Sequence, residues 1–211
     1  MSEFYMTGAS PEETWPLIRD FHYSKRMPAA AVHSFAWRES GGLFGDMGSP
    51  RAVCIFSHPV ARNAPKNMLE LIRLSRDDDF NEPLSKFVSW CLRWLKKNTN
   101  FDAVISYADT TEGHHGGIYQ ATNFTYVSEV VSGHIGYRAE DGSFIHRRTC
   151  NARFGSSGVS AVLERKPDWV PVYGKPKHLY IFPLKKKLTK VLSENNWQSI
   201  PYPKPDKNYA P

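Results

Sequence analysis

Leu84, Val88, Cys91, Leu92 and Leu95 share one face of a helix predicted from about Pro83 to Lys97, and β-favouring runs bracket it at Leu69 to Ser75 and Phe101 to Tyr107. A chain that alternates these two periods is neither all-helical nor all-β, and α/β or α+β is favoured. The alternation continues outward. Pro11 to Asp20 reads as a first helix, with Ser10 as N-cap, Pro11 at the first position and Glu13 completing a capping box. A polar connector, HYSKRMP, follows at His22 to Pro28. Val32 to Trp37 and Arg51 to Phe56 read as strands about a glycine-rich turn containing Gly41, Gly42, Gly45 and Gly48. Tyr126 to Val131 is a further strand. Ile135 to Arg138 and Phe144 to Arg148 flank the hairpin turn Glu140-Asp141-Gly142-Ser143. Gly158 to Arg165 reads as a short helix and His178 to Leu184 as a closing strand.

A length of 211 residues with 41% hydrophobic content is enough for one sizeable core. The expectation is a single domain over residues 1–190 with a basic insertion at about 133–177. Residues 191–211 are expected to form an extended tail, because Trp197 to Pro211 is proline-rich and poor in apolar residues. No apolar run approaches the roughly 20 residues that cross a bilayer, and Met1 to Met6 lacks the order of a secretory signal, so a cytoplasmic protein with no membrane partner is expected. Cys54, Cys91 and Cys150 are odd in number and far apart, as ordinary reduced thiols would be.

The net charge of +6 is uneven. Between Gly133 and Lys190 there are 12 Lys and Arg against 4 Asp and Glu, so the basicity belongs to the C-terminal third. Arg138, Arg147, Arg148, Arg153, Lys175 and Lys177, interleaved with Phe144, Phe154, Trp169 and Tyr173, suit a surface that follows phosphates and stacks on bases. A solvated basic face that aids solubility has the same composition.

Chemistry-bearing side chains are densest in VISYADTTEGHHGGIYQATNF, Val104 to Phe124. A buried strand there runs into Asp109, Thr110, Thr111, Glu112 and Gly113, which break it. His114, His115 and Tyr119 follow on a turn and a short helix, at a strand's carboxyl end where open α/β sheets place ligands.

The order strand, acidic loop, helix, strand, short helix ending Tyr119-Gln120-Ala121-Thr122-Asn123-Phe124, strand resembles the core of the GNAT acetyltransferase superfamily, with Asn123-Phe124 where Gly-Phe is usual. The resemblance implies a mixed, splayed central sheet flanked by helices, with acyl-CoA held between two parting strands and at the next helix's start. It implies cofactor contacts at Leu74, Ser75, Arg76 and Ser85. The usual Arg/Gln-x-x-Gly-x-Gly/Ala loop is absent, and Asp77 to Glu82 supplies four carboxylates in its place.

Three segments together, HYSKRMP at His22 to Pro28, ISYADTTEGHHGGIYQATNF at Ile105 to Phe124 and PKHLYIFPL at Pro176 to Leu184, resemble the phage Mom family of DNA-modifying proteins, a divergent GNAT branch. That resemblance implies conversion of adenine's exocyclic amino group in DNA to a carbamoylmethyl (acetamido) form, protecting phage DNA from host restriction. The partners implied are double-stranded DNA with a flipped adenine and a small-molecule donor, acetyl-CoA or a related two-carbon compound, in the host cytoplasm. The implied product joins nitrogen to a methylene carbon, whereas acyl transfer from a thioester joins it to a carbonyl. The donor is then not a plain acetyl thioester, or a rearrangement or metal-assisted radical step intervenes. His22, Asp109, His114 and His115 have the residue types of a two-histidine, one-carboxylate iron site.

Tyr119 stands where the superfamily's tyrosine protonates the departing thiolate. Asp109 with His114 or His115 would polarise or deprotonate the amine, although a turn-capping role suits Asp109 equally. His22, Tyr23, Ser24 and Arg26 border the implied acceptor site and suit an extruded base, as do Ser106 and Tyr107, of which one must face the core. Lys177 and His178 are the active-site members expected from the last segment. Two other readings are open: a conventional N-acetyltransferase for a small amine or protein, and a noncatalytic DNA-binding protein.

Overall fold

The computed structural model describes residues 4–40, 48–59, 65–131 and 133–204. Gly41, Gly42 and Gly45 of the expected turn lie outside these residues, as does the end of the expected tail. The elements run β1 (Phe4–Gly8), α1 (Pro11–Phe21), β2 (His33–Glu39), β3 (Pro50–Ser57), β4 (Met68–Arg76), α2 (Leu84–Asn98), β5 (Ala103–Asp109), α3 (Gly117–Ala121), β6 (Thr125–Val130), β7 (His134–Arg138), β8 (Phe144–His146), α4 (Arg147–Phe154), α5 (Val159–Leu163), β9 (Val170–Tyr173), β10 (Lys177–Pro183) and α6 (Leu188–Glu194). A short 3-10 turn, Thr110–Glu112, follows β5. The fold is mixed α/β, as the alternation of periods requires.

The chain divides into two compact units. The first comprises residues 1–108, 114–128 and 178–211, and the second residues 109–113 and 129–177. The first holds a seven-stranded sheet in the order β1-β2-β3-β4-β5-β10-β6. β1 to β4 pair antiparallel, and β4 pairs parallel with β5, so the sheet is mixed.

Strand alternation decides which helix covers which face. Cys54, Leu69, Leu71 and Val104 join Phe87, Val88, Cys91, Leu92 and Leu95 of α2 in the main core. Val53 and Ile55 point the other way, onto Leu17 and Ile18 of α1. Ala103 and Ile105 likewise face Val191 of α6 in a separate cluster. α1 begins at the capping box read from the sequence, the Ser10 side chain accepting from the Glu13 amide at 3.3 Å and the Ser10 amide donating to Glu13 at 2.7 Å. Arg38, buried on β2, holds Thr7, the Gly48 carbonyl and Glu13.

The second unit is a three-stranded sheet, β8-β7-β9, with its own small core of Tyr137, Cys150 and Val162. Ile145, Phe154, Leu163 and Trp169 pack against that core.

Four elements depart from the sequence reading. β1, an edge strand, was not anticipated, nor were β9 and α6. The strand read through Arg148 stops at His146, whose ring nitrogen accepts from the Arg148 amide at 3.1 Å and so caps α4. Of the expected tail, residues 191–194 belong to α6, and the rest as far as residue 204 is extended but docked. Ile200 donates to the Tyr126 carbonyl at 3.0 Å, and the Tyr202 hydroxyl donates to the Phe124 carbonyl at 2.7 Å.

Candidate functional site

β4 and β5 pair only at Met68, Leu69 and Glu70 with Ala103, Val104 and Ile105. Beyond Glu70 the strands part while β4 stays registered to β3 as far as Arg76. The cause is local. The register against β3 steps from Leu71 to Arg73, leaving Ile72 as a bulge, and a bulge bends the strand that carries it. One residue past the last pair, the buried Ser106 hydroxyl donates to the Leu71 carbonyl at 2.9 Å, a side chain supplying what the ladder no longer does. Of the pair Ser106 and Tyr107, Ser106 is thus the one in the core, and Tyr107 packs beside the cluster under α6.

Side chains of the first unit converge on this opening. The Tyr119 ring packs against Phe124 and Tyr180, with centroids 5.4 and 5.2 Å away. Burial pushes its phenol up to about 12 and the Ser106 hydroxyl pulls the other way, so the phenol keeps its proton at neutral pH. Tyr107 is also raised, first by burial and then by the Glu70 carboxylate. Glu70, the last residue of β4 paired with β5, acts electrostatically on Tyr107, Tyr119 and Arg73 together. The sequence reading passed over Glu70. Its signal was a single acid within the apolar run MLELI.

The connector after α1 lines the same region. His22 stacks on Tyr23, with centroids 4.4 Å apart, and Tyr23 meets His114 edge-on at 5.9 Å. Nδ1 of His22 accepts the Ser24 amide at 3.0 Å, which leaves the neutral ring's proton on Nε2. Burial, with Arg73 and His114 nearby, lowers His22 to about 4. Arg73 donates to the Arg26 carbonyl at 3.0 Å, fastening the connector to β4.

The turn before α3 is held from β10. Tyr180 donates to the His115 carbonyl at 2.6 Å and receives the Gln120 amide at 3.3 Å. Gly116 has φ +89, and a β-carbon there would collide with the Tyr180 ring. His178 stands 3.1 Å from the Tyr126 hydroxyl.

Asp109 belongs to the second unit, where it caps the 3-10 turn by accepting the Thr111 amide at 3.0 Å and pairs with Lys177 at 2.6 Å. Burial favours its neutral form, but Lys177 and the amide outweigh this and hold the carboxyl below its usual range. This is the turn-capping role, and it occupies Lys177 as well. The iron expectation gains no support: among the described residues no three His, Cys, Asp or Glu group to hold a metal. His22 is already committed to Ser24 and Asp109 to Lys177.

Of the expected cofactor contacts, Ser75 turns its hydroxyl to the Leu17 carbonyl of α1 at 3.1 Å, so only its backbone remains available. Leu74 packs on the main core, and Arg76 reaches the Glu82 carbonyl at 3.4 Å. Ser85 lies in the first turn of α2, a turn with no acidic residue and no side-chain cap. Two of the acidic loop's four carboxylates are engaged: Asp77 pairs with Arg51 at 3.1 Å and accepts the Asp79 amide, and Glu82 pairs with Lys86 at 3.4 Å, while Asp78 and Asp79 are exposed.

Arg138, Arg147, Arg148, Arg153 and Lys175 are all exposed on the second unit. The aromatic partners expected with them divide. Phe154 and Trp169 pack on that unit's core, while Phe144 and Tyr173 are exposed.

The model of the Mom protein family matches residues 3–204. A search of curated proteins found no match. Among solved structures, Arabidopsis thaliana NAA60 in complex with a bisubstrate analogue is 8% identical with a TM-score of 0.53, covering 88% of this chain and 100% of that one. The IAA acetyltransferase from Bacillus cereus is 10% identical with a TM-score of 0.50, covering 86% and 100%. A probable GNAT-family acetyltransferase from Chromobacterium violaceum is 6% identical with a TM-score of 0.51, covering 85% and 82%. The mixed, splayed sheet is a GNAT-like fold.

Proposed function

The chain belongs to the Mom protein family, and from that premise we propose that it modifies the exocyclic amino group of adenine in DNA to a carbamoylmethyl (acetamido) form. One observation carries the reading: the opening between β4 and β5 gathers a protonated phenol, a carboxylate and a stacked pair of rings in one unit. An adenine amine is a poor nucleophile because its lone pair is delocalised into the ring, and it must leave the duplex to be reached. The His22–Tyr23 stack offers an extruded base a flat aromatic surface, and His114 closes its edge. A neutral His22 adds no charge repelling a group that gains positive character. Glu70 is the carboxylate suited to take the proton released as the new N–C bond forms, with His114 or His115 as the alternative acceptor. Tyr119 holds a proton at Oη for the leaving group, and Ser106 orients that hydroxyl.

The residues present fit a two-carbon donor of the coenzyme A type. Beyond Glu70 the β4 edge has no β5 partner, leaving the backbone of Leu74, Ser75 and Arg76 for an extended chain. The first-turn amides of α2 at Leu84 and Ser85 suit a pyrophosphate, and the neighbouring Asp77 and Glu82 are already paired with Arg51 and Lys86. A plain acetyl thioester would leave an N-acetyl group, so for the carbamoylmethyl product the donor would carry its leaving group on the methylene carbon and its amide nitrogen already in place: the adenine nitrogen bonds to that carbon as the leaving group departs, Glu70 takes the amine proton and Tyr119 protonates the leaving group. Arg138, Arg147, Arg148, Arg153 and Lys175 would contact the DNA backbone.

Nucleoside mass spectrometry of DNA from expressing cells tests the reading. A mass-shifted adenine nucleoside is expected, lost on Tyr119→Phe at equal soluble yield. Unaltered nucleosides at good wild-type expression would refute it.

A further inference from the structure

We propose that the outer face of the second unit's three-stranded sheet is a stacking platform for an unpaired stretch of nucleic acid, with Phe144 as the ring on which a base lies. The identity of the polymer rests on the DNA reading above; the geometry does not.

The face is defined by register. Gly136 and Arg138 of β7 stand opposite His146 and Phe144 of β8, and opposite Val172 and Val170 of β9. Tyr137, opposite Ile145 and Pro171, points to the other side, into the core with Cys150 and Val162. The outer face therefore presents Phe144, His146, Arg138, Val170 and Val172, and no strand of this sheet contains an acidic residue.

Phe144 is 47% exposed yet seated. Its ring lies over Gly136, where a β-carbon would meet the Ile145 carbonyl first and stand 2.7 and 2.9 Å from two ring atoms, so the glycine leaves room for both the neighbouring strand and the ring. Val170, 61% exposed, extends the apolar surface on β9, whereas Tyr173 follows Pro171 to the other side. With Arg138 between them across β7, the exposed apolar side chains of Phe144 and Val170 mark a contact surface.

Charge decides what it contacts. Arg138 is steadied by the Gly142 carbonyl at 3.0 Å, beside the Phe144 position. Arg147 and Arg148 open α4, where two cations meet the positive end of the helix dipole, an arrangement relieved by an anion. An apolar protein or lipid surface would strip water from these guanidiniums without pairing them, whereas a strand with exposed bases provides a π-face for Phe144 and phosphates for the arginines.

The test compares binding of the full chain to a labelled single-stranded oligothymidine of about 12 nucleotides, within the site sizes usual for such surfaces, with an abasic strand of equal length at one salt concentration. The abasic strand keeps the phosphates and lacks the rings. The expected result is a preference for the base-bearing strand of about tenfold, the scale of one stacked base. Phe144→Leu, which keeps apolar bulk over Gly136 but has no π-face, should abolish that preference, and Phe144→Tyr should retain it. Equal affinity of the wild type for both strands, or a preference that survives Phe144→Leu, overturns the proposal. Adenine analysis on the same strains separates the two readings. A Phe144-dependent preference with unmodified adenine leaves the platform standing and removes the adenine activity. Modified adenine without a base preference does the reverse.

Discussion

Gly116→Ala should destabilise the first unit far more than a methyl group on a half-exposed turn ordinarily does. At φ +89 any L side chain is strained, at about 1 to 2 kcal/mol. The new β-carbon would also enter the space of the Tyr180 ring, and overpacking of this kind costs about 1 to 3 kcal/mol. Together these give roughly 2 to 5 kcal/mol, a large part of the 5 to 15 that holds a typical domain folded. The Tyr180 ring is not free to move aside, since its hydroxyl donates to the His115 carbonyl and accepts from Gln120. Urea denaturation measures the loss as a fall in midpoint at unchanged slope. The Gly116→Ala/Tyr180→Ala double variant isolates the collision: with the ring gone only the backbone strain remains, so the double variant should be less destabilised than the sum of the singles by about 1 to 3 kcal/mol. A single-variant loss under about 0.5 kcal/mol, or strict additivity in the cycle, would refute the reasoning.

Glu13 is held below its usual value of 4.5, first by the Ser10 amide and then by Arg38. Its contribution is therefore complete above that value and is lost as pH falls through the lowered one. Glu13→Gln should cost about 1.5 to 3 kcal/mol at pH 7 and flatten the acid limb of the stability profile; an unchanged acid limb would contradict this. His22, lowered to about 4, refuses a proton that the unfolded chain accepts from its usual 6.5 downward, so stability should fall as pH drops from 6.5 toward 4. A ring titration by NMR with a midpoint near 6.5 would contradict the burial argument. Cys54, Cys91 and Cys150 are buried, and burial raises the thiols of Cys91 and Cys150. Ellman's reagent should find no fast-reacting thiol until the protein unfolds, and a stoichiometric fast phase at pH 8 would show otherwise.

The parts of the fold legible in the sequence are those whose cause is local. The Ser10 to Glu13 capping box, the α2 stripe and the strands around Tyr107 declare themselves within a few residues. The elements missed are short, and their stability comes from partners. β1 exists because Phe4 to Gly8 find β2, and β9 because Val170 to Tyr173 find β7. α4 was hidden because His146, an uncommon cap, ends the strand where β-favouring residues still read as continuing.

The candidate site divides the same way. The residue types of the Val104 to Phe124 stretch, the HYSKRMP connector and the basic C-terminal third identify a chemistry-bearing chain, because side-chain identity is all such a reading needs. Register separates the two carboxylates nearest the motif. Asp109 lies in the conspicuous motif yet is neutralised by Lys177, while Glu70 stands at the point where β4 and β5 separate. The bulge at Ile72, the turn of Ser106 toward Leu71 and the burial that raises Tyr119 are pairings across the sheet, invisible to any periodicity along the chain. The sequence by itself determined family, fold class and the inventory of functional groups. Tertiary structure alone decided which groups meet and in which protonation state, since both depend on distance and on exclusion of water.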